Sequence, residues 1–217
     1  MIAHGCMIMK VVVDSNLSDM SRLRSNKKFF YDSVALLLDI IHGHWKTNNT
    51  WRHNNLVNFI VTNVDKSKFK VYSDLPGWEA PGGGTIPSQL CVTRLKPDIV
   101  IVDEVKKILH IFELTVPLTV NIDQRHSEKT QKYTPFLTDI TNYTCTLNCF
   151  EVSSTGYINP RNKLTLTTLH SFLRKDMKKS TFLSNLNSLT WYGSYQLWLS
   201  RKDKEFAIPP FLIPHLK

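Results

Sequence analysis

Apolar and polar positions change period several times along this chain, and the changes mark its elements. In residues 51–64 (WRHNNLVNFIVTNV), Leu56, Phe59, Ile60 and Val64 share one face at helical spacing. That predicts a helix, although the β-branched content leaves a strand possible. Residues 28–44 carry the same spacing and stop near Gly43, predicting another helix. Residues 69–72 read as a short strand. Residues 74–87 are dense in Gly and Pro and read as a loop. Two short apolar runs follow, 99–102 and 108–112, separated by a polar tip at 103–107. This is the pattern of a β-hairpin.

Beyond the hairpin, residues 120–140 are polar with a helical pattern that Pro135 breaks or kinks. Residues 144–152 read as a strand and 156–163 as a loop. Residues 164–174 and 184–202 read as helices, and the tail PPFLIPHLK as an extended segment. Residues 1–26 are weakly patterned and expected to be poorly ordered, leaving 27–217 as a single domain. A sheet of about four strands flanked by helices makes the expected fold class α/β.

The hairpin has a chemical consequence. Asp98 opens its first strand and Glu113 closes its second, so an antiparallel pairing brings both carboxylates to one end of the sheet. Two acids forced together repel and lose solvation unless a cation lies between them. Hard oxygen ligands of this kind suit Mg²⁺ or Mn²⁺.

Composition narrows the partners. The 217 residues hold 27 Lys and Arg against 18 Asp and Glu, a net charge of +9. Such an excess suits a polyanion, nucleic acid above all, or serves only as a basic soluble surface. With no long basic tail, the charge is expected to be spread over the folded body. No apolar run approaches the roughly 20 residues that span a bilayer, and the first residues do not form a convincing signal peptide, so no membrane partner is expected and an intracellular location is the default. The four cysteines are too scattered for a disulfide framework and are expected to be buried or free thiols.

Further residues recur in a recognisable order: Trp51-Arg52-His53, Lys96-Pro97-Asp98-Ile99-Val100, Phe112-Glu113-Leu114-Thr115-Val116-Pro117, and His126-x-x-Lys129-x-x-Lys132-Tyr133. Glu151-Val152 with Gly156, and Ser194-x-x-x-Trp198-x-x-Arg201, follow. Over about residues 50–202 this resembles the PD-(D/E)xK nuclease superfamily, with its restriction-endonuclease-like αβββαβ core and flanking helices. It looks like the endonuclease domain found beside reverse transcriptases in non-LTR retrotransposons.

The resemblance implies a metal-dependent DNA endonuclease that nicks target DNA for retroelement integration, acts in the nucleus, and works with a reverse transcriptase or another retroelement protein. Asp98, Glu113 and the backbone carbonyl of Leu114 would hold Mg²⁺ or Mn²⁺. The superfamily pattern expects a lysine where Thr115 stands; in such relatives it comes from the following helix, and Lys129 and Lys132 are the candidates. Arg52, His53, Arg125 and His126 are the candidate nucleic-acid contacts. A DNA-binding module that has lost its chemistry is the main alternative, with Thr115 as its support; a basic interaction or scaffold protein is the other.

Several residues also have ordinary structural roles open to them. His53 can cap or pack, His126 and Tyr133 can pack or form supporting hydrogen bonds, and Glu151 can be a structural acceptor. Asp103 and Glu104 are expected to be solvated at the hairpin tip. Trp191, Tyr192, Tyr195 and Trp198 are expected in the core, with base stacking as the lesser option.

Overall fold

The computed structural model describes residues 47–75, 86, 87, 90, 91, 93 and 95–200. Within them the order is helix α1 (Thr47–Asn63), strands β1 (Lys70–Ser73), β2 (Ile99–Asp103) and β3 (Ile108–Thr115), helix α2 (Ile122–Tyr133), strand β4 (Thr144–Glu151), and helices α3 (Lys163–Ser171) and α4 (Lys179–Ser200). The expected helix at 28–44, the unpatterned stretch 1–26, most of the Gly/Pro loop, Arg201 and the extended tail lie outside the described residues.

The strands form one mixed sheet in the order β1-β2-β3-β4. β1 pairs antiparallel with β2, and β2 antiparallel with β3, Ile99 facing Phe112. β4 runs parallel to β3, with Glu113 facing Cys149 and Thr115 facing Glu151. The antiparallel pairs need only short connections. The parallel pair needs a crossover, and α2 supplies it.

The run Ile99–Val102 is apolar at every position because both sheet faces are covered. Ile99, Ile101, Phe112 and Leu114 pack on one face against Leu56, Phe59 and Ile60 of α1, Leu166 and Leu169 of α3, and Phe182 and Leu186 of α4. Val100, Val102, Leu109 and Ile111 face the other way, toward Phe136 and Ile140 beyond α2. α2 itself (IDQRHSEKTQKY) buries only Ile122 and Tyr133 among its residues. Polar ties therefore hold this helix to the sheet, and those ties form the site below.

Residues 51–63 are helical, and Val64, expected on the same face, instead bridges Leu173; the i, i+3, i+4 spacing of Leu56, Phe59 and Ile60 overrides the weak strand preference of their β-branched neighbours. β3 runs two residues past Glu113, which therefore lies inside the strand rather than at its end. α2 stops at Tyr133, with a 3₁₀ turn at Pro135–Asp139, since Pro135 cannot continue the amide ladder. α3 ends at Ser171, α4 begins at Lys179, and a 3₁₀ turn at Pro160–Asn162 interrupts the expected loop.

Asp103 differs from expectation. It is 6% exposed, and its Oδ1 accepts the amides of Val105 (3.1 Å) and Lys106 (2.9 Å) to close the hairpin turn. Trp191 and Tyr192 are half-buried rather than core. No helix among the described residues is long and apolar enough to cross a membrane.

The two cores carry the fold. Ile101→Ala, at a fully buried position, should cost about 2–5 kcal/mol in chemical denaturation. Val105→Ala at the tip, where the side chain is 92% exposed, should stay within about 0.5 kcal/mol.

Candidate metal and nucleic-acid site

Strand alternation directs Val100 and Ile111 to the α2 face of the sheet, and Asp98 and Glu113 follow them there by two-residue spacing. Each carboxylate is locked by backbone near the other. Glu113 Oε1 accepts the Asp98 amide at 2.9 Å, and Asp98 Oδ2 accepts the Leu114 amide at 2.8 Å. The Ser73 hydroxyl donates to the Asp98 carbonyl at 2.8 Å, tying β1 to the same corner. Both acids are buried.

Lys129 reaches over from α2. Its Nζ lies 2.5 Å from Glu113 Oε2 and 3.4 Å from Asp98 Oδ2. His53 arrives from α1 on the opposite face of the sheet. Its Nε2 lies 3.2 Å from both Asp98 Oδ2 and the Leu114 carbonyl, and its Nδ1 lies 3.2 Å from Asn54 Oδ1. Acceptors at both ring nitrogens suit an imidazolium.

The electrostatics follow from burial and neighbours. Burial raises Glu113, and the Asp98 charge adds to it; together they outweigh Lys129 and push the group up to about 7. Burial also acts against an ionised Asp98, but His53, Lys129 and the Leu114 amide overcome it and hold that carboxyl below its usual range. Lys129 and His53 are both raised: burial acts against each cation, but Asp98 and Glu113 outweigh it at Lys129, and Asp98 outweighs it at His53. Thus Asp98 and Lys129 are the firm charges, and Glu113 is the group that yields to crowding.

Three oxygens converge here: Asp98 Oδ2 and Glu113 Oε2 on one ammonium, Asp98 Oδ2 and the Leu114 carbonyl on one imidazole nitrogen. This all-oxygen set fits a hard divalent cation. Among the described residues no group of three or more His, Cys, Asp and Glu is arranged to hold a metal. Any third oxygen ligand would have to be the Leu114 backbone carbonyl.

The other sequence candidates divide. Lys132 turns away: its Nζ is 3.3 Å from Tyr133 Oη and lies over that ring. Tyr133 donates to the Lys96 carbonyl at 3.0 Å, pinning the end of α2 beside the Pro97-Asp98 turn. Arg52 is 5% exposed and donates to Ser194 Oγ (2.8 Å) and the Val116 carbonyl (3.1 Å), bracing α1 against α4 rather than facing a ligand. Arg125 is exposed and pairs with Glu128 at 2.7 Å.

His126, one turn before Lys129, bonds the fully buried Glu151 at 2.8 Å. Glu151 also meets Arg161 at 3.4 Å, and Arg161 bonds Asp123 at 2.6 Å and the Ile122 carbonyl at 3.2 Å. This network clamps the start of α2 to the end of β4 and so sets the reach of Lys129. Nothing in the sequence marked Arg161 or Ser73, because each acts through a distant partner. Cys149 is buried, and burial pushes its thiol up to about 11, so it is no ready nucleophile.

No protein-family model matches the chain, and no curated protein matches it.

The metal-free protein should carry the signature of Glu113 in its stability. A buried acid raised from 4.5 to about 7 binds more protons folded than unfolded in that interval. Its contribution to stability is therefore complete below about pH 4.5 and is lost as pH rises toward 7. Denaturation across pH 4.5–7 in EDTA should show this fall, and Glu113→Gln should flatten it.

Proposed function

We propose that this chain is a metal-dependent DNA endonuclease with a restriction-endonuclease-like core, resembling the nuclease domain of non-LTR retrotransposons. The observation that carries the reading is Lys129, whose ammonium stands 2.5 Å and 3.4 Å from the two buried carboxylates. It supplies from α2 the cation that Thr115 cannot. That counts against the reading in which Thr115 marks a lost activity. The α-β-β-β-α-β element order and the Pro97-Asp98 and Glu113 positions support the same assignment.

Asp98, Glu113 and the Leu114 carbonyl would hold Mg²⁺ or Mn²⁺. When bound, the ion supplies Lewis-acid polarisation of the phosphate and lowers the pKa of a coordinated water. The chain's own residues do the rest. The amides of Asp98 and Leu114 keep both carboxylates from rotating away. Lys129 offsets negative charge as it builds on the phosphate oxygens and can hold a hydroxide or water by hydrogen bonding. The Glu151 network keeps α2 at the height this requires. Nicking of target DNA, a nuclear location and a reverse-transcriptase partner belong to this proposal by resemblance.

Purified protein should nick supercoiled plasmid with Mg²⁺ or Mn²⁺ and stop in EDTA. Asp98→Asn, Glu113→Gln and Lys129→Ala should each lower the rate by about 10²-fold or more, and Lys132→Ala by much less. Nicking that persists unchanged in both acid variants would refute the assignment.

A further inference from the structure

We propose that the end of the domain opposite the carboxylate site is a second, sequence-independent nucleic-acid-binding surface. The described residues carry 16 Lys and Arg against 11 Asp and Glu, an excess of five. Among the described residues this excess is not evenly spread. It gathers at one pole, built from three segments.

The first segment follows α1 and bears Lys66, Lys68 and Lys70, all exposed. The second is the β2–β3 tip with exposed Lys106 and Lys107, joined to the first because Glu104 bonds both Lys70 (2.8 Å) and Lys107 (3.0 Å). The third links α3 to α4 and bears Arg174, Lys175, Lys178 and Lys179. Bonds from the Arg174 amide to the Asn63 carbonyl (3.0 Å) and from the Asp65 amide to the Phe172 carbonyl (2.9 Å) hold it against the end of α1. These nine cations face four acids: Asp65, Asp103, Glu104 and Asp176. The other described residues hold seven Lys and Arg and seven Asp and Glu, so the five extra positive charges lie in these three segments.

The two ends are well separated. His53 and Asn63 lie ten residue steps apart along α1, a rise of about 15 Å. A ligand on the pole therefore does not touch the carboxylates.

The chemistry favours a phosphodiester backbone. Eight of the nine cations are lysines, compact point charges that meet phosphates without demanding bidentate geometry. Val105 is the pole's one exposed large apolar side chain among the described residues, so the apolar anchors of a protein interface are lacking. This inference does not depend on the nuclease reading, since binding needs no metal.

The test is anisotropy of a labelled 30-base-pair duplex with the full chain in EDTA, across a salt series. Wild type is compared with Lys66→Gln, Lys106→Gln, Lys175→Gln and Lys178→Gln combined. These four sites are exposed in all three segments, and thermal unfolding confirms the variant's fold. The expected result is at least tenfold weaker binding at 0.1 M salt, with the log–log salt slope shallower by about 2–4, at ~0.9 per lost phosphate contact. An unchanged affinity and slope would overturn the proposal. So would loss of binding to phosphatidylserine vesicles with DNA binding intact, which would assign the pole to a lipid surface.

Discussion

The site rests on two buried carboxylates that the β2–β3 register forces together at one end of the central strands of an apolar sheet. Neither acid would settle there alone. Each accepts an amide next to the other, and both share one ammonium delivered from a helix that has almost no apolar grip on the sheet. Burial, with the Asp98 charge added to it, drives Glu113 upward, while His53 and Lys129 keep Asp98 ionised. The corner is strained in charge rather than in backbone, a condition that a small divalent cation would relieve.

That constraint organises what surrounds it. α2 must lie at one height for Lys129 to reach both oxygens, and a polar helix cannot get that precision from packing. Tyr133 at its C-terminal end, and His126 and Arg161 at its N-terminal end, provide it through directed bonds to Lys96, Glu151 and Asp123. Across the sheet, α1 sits in the larger core and sends His53 to the Leu114 carbonyl. The apolar clusters hold the sheet, and the polar bonds hold the chemistry.

Much of this was legible in the residues. The unbroken IVIV run and the polar tip announced a hairpin, and hence the meeting of Asp98 with Glu113. The spacing of Lys129 after Glu113 left a helix free to return over that end. Choosing between Lys129 and Lys132 was beyond the sequence. The two are three residues apart, and only the tilt that Tyr133 and the Glu151 network impose decides which reaches inward. Asp103 resembled a solvated tip acid because its turn-closing bonds are local geometry rather than pattern. Arg52 resembled a phosphate ligand, yet its partners lie 64 and 142 residues away. Charge summed over the chain likewise concealed how the excess among the described residues is distributed.

The most direct test of the account is anomalous diffraction from crystals soaked in Mn²⁺. The account predicts a single strong peak within bonding distance, about 2.0–2.3 Å, of Asp98, Glu113 and the Leu114 carbonyl, with Lys129 and His53 displaced from their shared oxygens. A peak elsewhere, or carboxylates that remain bridged by Lys129 with no metal density at saturating Mn²⁺, would contradict it.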